Sequence, residues 1–174
     1  DASANWTVYH ENLAATEILE LNTTTAKQTS SDFGNTRPTS SVLSSFTTGV
    51  SGRKIIAYCF AEIEGYSKFG IYVGNGVVDG PFVYCGFKPA FVLTKLSSNT
   101  NGHWILWDSS RTPTNLATTA LSPNNTWADT INFDIDLLSN GFKQRDTETS
   151  LNTSGETYIF AAFAESPFQT ANAK

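Results

Sequence analysis

The chain has no methionine, two cysteines and two histidines in 174 residues, and only 16% of its residues are charged. Each shortage excludes something. Cys59 and Cys85 are too few for a disulfide framework. Both sit in alternating apolar stretches, which predicts buried free thiols, with a single bridge between neighbouring strands as the alternative. The longest apolar run is about six residues, around Ile55 to Phe60, far below the roughly 20 needed to cross a bilayer as a helix. No run of Lys or Arg exceeds the pair Arg53 and Lys54, and the net charge is -5 with a pI near 4.9, so the basic footprint of a nucleic-acid binder is missing. Neither nucleic acid nor membrane insertion is expected. Methionine is absent even from position 1, and Asp1 opens no signal-peptide pattern, so these residues read as a processed chain or a piece of a longer one. With only His10 and His103 available, no Ser-His-Asp or Cys-His set stands at a recognisable spacing.

What is present is β grammar. Aromatics reach 13%, hydroxyl and amide side chains abound, and about nine segments alternate with period two. These are Trp6 to His10, Ile55 to Glu62, Phe69 to Val73, Pro81 to Phe87, Ala90 to Lys95, His103 to Asp108, Ile131 to Leu137, Gly141 to Arg145 and Tyr158 to Ala164. Turn clusters separate them, among them Gly74 to Gly76, Asp79 and Gly80, Ser97 to Gly102 and Asn152 to Gly155. The stretch from Glu11 has loose helical spacing and suits a short helical turn. Hydrophobic content of 40% over this length suits one domain spanning 1–174. Without a βαβ rhythm, the fold class is all-β: an antiparallel β-sandwich of jelly-roll or concanavalin-like type.

The sequence also repeats itself. "NWTVYHENL" from Asn5 aligns with "HWILWDSSR" from His103 at a shift of 98, Phe46 falls opposite Phe142 at 96, and "AYCFAE" aligns with "FAAFAE" so that Phe60 meets Phe163 at 103. Three blocks in one order at nearly one offset indicate an internal duplication of roughly a hundred residues, with halves at approximately 5–65 and 86–168. Phe60 and Phe163 are then expected at equivalent core positions. The second half is led by "PAFVLTK" from Pro89, a strand that feeds into Trp104; nothing before Trp6 matches it. The first half is therefore expected to lack its leading strand, which leaves unpaired ladder edges that invite another chain segment.

"WTVYH" at Trp6, the stretch from Ala57 to Leu93, "SNGFKQR" at Ser139 and "TYIFAAFAESPFQTANAK" resemble an uncharacterised domain family of tailed-bacteriophage proteins, found in tail fibres and other virion structural proteins. The resemblance covers nearly the whole chain. It implies an extracellular or virion location and self-association, and the segment like Trp6 in that family usually follows a strand like "PAFVLTK". No catalytic residues are assigned in the family, so it transfers none.

The residues themselves offer modest chemistry. Glu62, Glu64 and Glu165 end the two Phe-Ala-Glu stretches, and a glycosidase needs two carboxylates across a cleft; their repetition in both halves favours strand-end hydrogen bonding instead. Asp134 and Asp136 share a strand face and are the one alternative for a metal, Ca²⁺ held with loop carbonyls; no other cofactor is implied. Trp6, Trp104 and Trp107 read as core. Trp127, in the loop with Asn124, Asn125 and Asp129, has no core pattern claiming it and is the candidate for stacking on a sugar ring. Asn5, Asn22, Asn124 and Asn152 head glycosylation triplets that arise readily in such a composition. The expected function is a structural fibre or filament module, non-enzymatic, whose partners are copies of itself. A receptor-binding or lectin-like module for host-surface glycan is the alternative, and a polysaccharide-cleaving enzyme stands third.

Overall fold

The computed structural model describes residues 5–39, 41–43, 54–129 and 131–165. In chain order its elements are β1 (Thr7–Val8), β2 (Glu17–Glu20), β3 (Gln28–Thr29), β4 (Ser67–Val73), β5 (Phe82–Tyr84), β6 (Pro89–Leu96), β7 (Trp104–Asp108), β8 (Ala117–Ala120), β9 (Ile131–Leu138), β10 (Gly141–Gln144), the one-turn α1 (Thr149–Asn152) and β11 (Thr157–Ala164). They form three antiparallel sheets, ordered β1-β2-β3, β5-β10-β9-β8 and β4-β11-β6-β7. The architecture is all-β and of sandwich type.

β11 explains the layering. Its sequence, TYIFAAFA, is almost continuously apolar, as a strand must be when both of its faces are covered. Tyr158, Phe160 and Ala162 join the larger core, where Val92, Ile105 and Trp107 of the same sheet meet Ile135 and Phe142 of the β5-β10-β9-β8 sheet. Trp107 Nε1 donates to Phe133 O at 2.7 Å, satisfying the indole inside that core. On the opposite face Ile159 packs with Trp104, Leu13 and Leu19, so the small β1-β2-β3 sheet caps one end of the central sheet. Cross-strand rows run over that face: Ile159, Lys95 and Trp104; Ala161, Leu93 and Leu106; Phe163, Phe91 and Asp108. An isolated antiparallel bridge, Leu106 to Leu121, ties β7 to the end of β8.

Several expectations are corrected here. Lys54 to Glu62 alternates like a strand but belongs to none, and every residue from Lys54 to Glu64 is exposed. The physical reason is the lack of a neighbour: a ladder needs partners for its N–H and C=O groups, and among the described residues none forms a backbone hydrogen bond with 54–60. Phe60 is 68% exposed, whereas Phe163 is half-buried on β11; they touch, at 5.6 Å between ring centroids, instead of filling equivalent core places. Trp6 is 61% exposed, because β1 is short and lies at the sheet edge. The expected helical turn after Glu11 is a pair of tight turns leading into β2, closed by Leu13 N to His10 O and Glu17 N to Ala14 O. Cys59 is exposed and only Cys85 is buried, both as free thiols; burial pushes the Cys85 thiol up to about 12. Phe46 lies outside the described residues.

Candidate functional site

The loop after β8 is built from its hydrogen bonds outward. Asn124 Oδ1 accepts from Trp104 N at 2.9 Å and from Ser122 Oγ at 3.3 Å, so its amide fixes the loop against the start of β7. Its Nδ2 lies 3.1 Å from His103 Nδ1. The Trp127 ring sits 4.3 Å from the His103 ring, tilted by 50°, and meets Phe133 edge-on at 6.4 Å. Asn124 and Trp127 are thus gathered around one imidazole. Desolvation lowers the His103 pKa, against a smaller opposing effect from Asn124, which keeps the ring neutral near pH 7. Trp127 remains 44% exposed and presents a ring face braced from behind.

The other two loop residues serve differently. Asn125 Oδ1 accepts from Thr126 N at 2.7 Å, a local turn closure. Asp129 pairs with Arg111 Nη1 at 2.7 Å, and Arg111 Nε also holds Asp108 at 3.2 Å. Sequence reasoning missed His103 as the brace and Arg111 as the cation. Their signals, a histidine beside Trp104 and an arginine three residues after Asp108, become informative only once the loop is folded over them.

The carboxylates expected near strand ends are solvent-facing. Glu62 is exposed and bonded to Lys68 Nζ at 2.6 Å, while Glu64 and Glu165 are exposed, so none closes a buried strand end. Asp134 and Asp136 do not form a cation cage. Asp136 is occupied by Arg145 Nε at 2.6 Å, and Arg145 continues to Asp79 at 2.6 Å. Desolvation, with Asp146 adding to it, raises the Asp134 pKa, and among the described residues no group of three His, Cys, Asp or Glu side chains stands in ligating range.

His10 is structural. It is buried, its Nδ1 accepts from Asn12 N at 3.2 Å, and its Nε2 therefore carries the hydrogen that reaches Phe160 O at 3.1 Å. Burial lowers its pKa, with the bond to Phe160 opposing. Of the glycosylation triplets, Asn152 is fully buried and its amide donates to Asn75 Oδ1, Val77 O and Asp146 O, which leaves no room for a sugar. Asn5 and Asn22 bond each other at 2.9 Å on the surface.

A second candidate lies on the far end of the central sheet's outer face. Phe163 is ringed by Phe60, Tyr66, Phe69 and Phe91 at centroid distances of 5.6, 6.0, 5.7 and 5.7 Å. Beside them opens an apolar groove of about 530 Å³, walled by Cys59, Phe60, Ala61 and Ile63 on one side. No residue of β1, β2 or β3 lines it. Ile56 and Tyr58, at 80% and 72%, continue the exposed apolar surface outward.

The class this architecture defines is an all-β sandwich, with an apolar groove that the described residues leave open. Residues 1–167 match the family model described as "Domain of unknown function (DUF7483)", and the chain belongs to that family. Searches of curated proteins and of solved structures found no match.

Proposed function

We propose that this chain is a non-enzymatic structural module of a fibre or filament, as in a phage tail or another extracellular assembly, and that it associates with copies of itself through strand edges. The observation that carries this reading is the segment Lys54–Glu62: largely apolar, strand-like in pattern, wholly exposed, and without a backbone ladder partner among the described residues. Exposed strand-forming segments of that kind recruit other chains, and continuous apolar surface is seldom left open on a monomer. The internal duplication and the jelly-roll or concanavalin-like topology belong to the same proposal.

Sedimentation velocity with negative-stain imaging tests the reading. Wild-type protein is expected to assemble as concentration rises, and Ile56→Lys/Tyr58→Lys to stay monomeric with an unchanged unfolding midpoint, since both side chains are exposed. A wild type that stays monomeric throughout, or a variant that assembles equally well, contradicts it.

A second reading, a glycan-binding module, is favoured by Trp127, the exposed ring braced by His103. Loss of glycan-array binding in Trp127→Ala would shift the weight to it; an array negative for the wild type would remove it.

A further inference from the structure

We infer that the β1-β2-β3 sheet is a layer released by acid: protonation of His10 unfastens it from β11 and uncovers the Trp104 and Ile159 surface beneath. The release is independent of self-association through 54–62.

Among the described residues the small sheet shares no ladder with the central one, so packing and crossing hydrogen bonds hold it in place. The packing is slight. Leu13 and Leu19 close on Trp104 and Ile159, a cluster separate from the larger core. The crossing bonds run from His10 Nε2 to Phe160 O at 3.1 Å, from Trp104 Nε1 to Glu20 O at 2.9 Å, from Lys27 N to Ser97 O at 3.0 Å and from Lys95 Nζ to Thr24 O at 3.4 Å. A layer held by so few contacts opens at a lower free energy than the core it covers.

His10 is the member whose geometry refuses a second proton. Its Nδ1 accepts from Asn12 N at 3.2 Å, and a backbone amide can only donate, so an imidazolium would set two N–H groups against each other. The ring is buried, and no carboxylate among the described residues bonds it. Glu11, next in the chain, is exposed; its carbonyl holds Arg37 at 3.0 Å, and its charge acts on Lys68 of β4. Glu17 is paired with Lys27 at 3.0 Å. Desolvation outweighs the Phe160 bond, so the docked ring resists the proton below its ordinary 6.5, whereas the ring of an opened layer takes it there. The opened state thus binds more protons as pH falls below 6.5, and docking weakens in step. Lys95 does not share this window, since a docked pKa of about 8 leaves its ammonium largely charged in both states below about pH 7. Glu17, held low by the Ala14 amide and Lys27, contributes only below its ordinary 4.5.

The test is NMR-detected hydrogen exchange of the full chain from pH 7 to 5, corrected for intrinsic rates. Two groups bond across the layer and report on it, the Lys27 amide and the Trp104 indole N–H; the Trp107 indole, bonded to Phe133 O inside the larger core, is the reference. Protection of the two reporters is expected to fall at least about fivefold over that range while Trp107 holds. His10→Gln keeps a donor for Phe160 O without a titrating ring, and its reporters should be flat with pH. His103 stays in that variant, bonded to Asn124 away from the layer, so a fall that persists there would assign the effect elsewhere. Should the variant not fold, imidazole NMR of the wild type decides alone: His10 is expected to keep its Nε2–H tautomer and to titrate only as Lys27 protection falls. The inference is overturned by wild-type reporters that are flat with pH, by an equal fall at Trp107, by a fall retained in His10→Gln, or by a His10 ring that titrates near 6.5 while Lys27 stays protected.

Discussion

At the residue scale, the side chains that organise this molecule are those whose polar atoms had to be settled inside it. Trp104 and Trp107 were readable as core because they sit in an alternating segment, one on each face of β7, and their indole N–H groups find Glu20 O and Phe133 O. Lys95 was not readable, since a lysine in an alternating strand ordinarily faces water. Here its face of β6 is roofed by the β1-β2-β3 sheet, so the ammonium is fully buried and donates to Leu96 O at 2.6 Å and Thr24 O at 3.4 Å. Burial lowers its pKa to about 8. The unfolded chain holds that proton up to its ordinary value of 10.5, so between about pH 8 and 10.5 the unfolded state binds more protons and stability rises with pH. Lys95→Met keeps the stem and removes the titration. The stability of the wild type relative to this variant is therefore expected to improve by about 2 kcal/mol from pH 7.5 to 10, measured by denaturant unfolding at each pH. Cys85, Tyr72 and Tyr158, whose pKa values burial raises, act the opposite way in both proteins and cancel in the difference. A flat difference would mean that the ammonium reaches water.

At the element scale, a strand proved to be a property of the ladder as much as of the sequence. β6, β7, β9, β10 and β11 were legible because long alternation coincides with available neighbours. β2, β3 and β8 were missed: they are two to four residues long and rich in Glu, Gln and Thr, too brief for a period to register. Ile55 to Glu62 shows the converse, a strong pattern with no ladder partner among the described residues. The aromatic groove was invisible for the same reason, as it arises where Phe60, Phe91 and Phe163 converge from distant parts of the chain. Hairpin geometry makes a sharper test of the element account. Gly141 opens β10 opposite Tyr84 of β5, and a Cβ there would fall 2.0 Å from Val83 O and 3.1 Å from Tyr84 Cα, backbone that cannot step aside. Gly141→Ala is expected to cost about 2–3 kcal/mol in chemical denaturation. At Gly155, where φ is +78° and nothing lies within 4 Å of the added methyl, alanine should cost only about 1 kcal/mol of backbone strain. Equal losses at the two positions would contradict the close approach of β5 and β10.

At the scale of the whole molecule, the described residues stack three sheets so that the central one packs on the β5-β10-β9-β8 sheet by one face and carries the β1-β2-β3 sheet at one end of the other. The sequence announced the all-β class through its turns and aromatics, whereas the exposed aromatic floor was not legible in it. Self-association follows if that surface is what copies use to meet; the like net charge of -5 on each copy opposes it only weakly at physiological salt, where it is largely screened beyond about 8 Å. The central claim is that the unpaired 54–62 segment becomes a paired strand on assembly. The most direct measurement is hydrogen exchange of the 55–61 amides in dispersed and in assembled wild-type protein, with Ile159 to Ala162 of β11 as the internal reference. The expected result is rapid exchange when dispersed, protection approaching that of β11 when assembled, and no change in β11 itself. Rapid exchange at 55–61 in both states, with assembled particles present, would contradict the account.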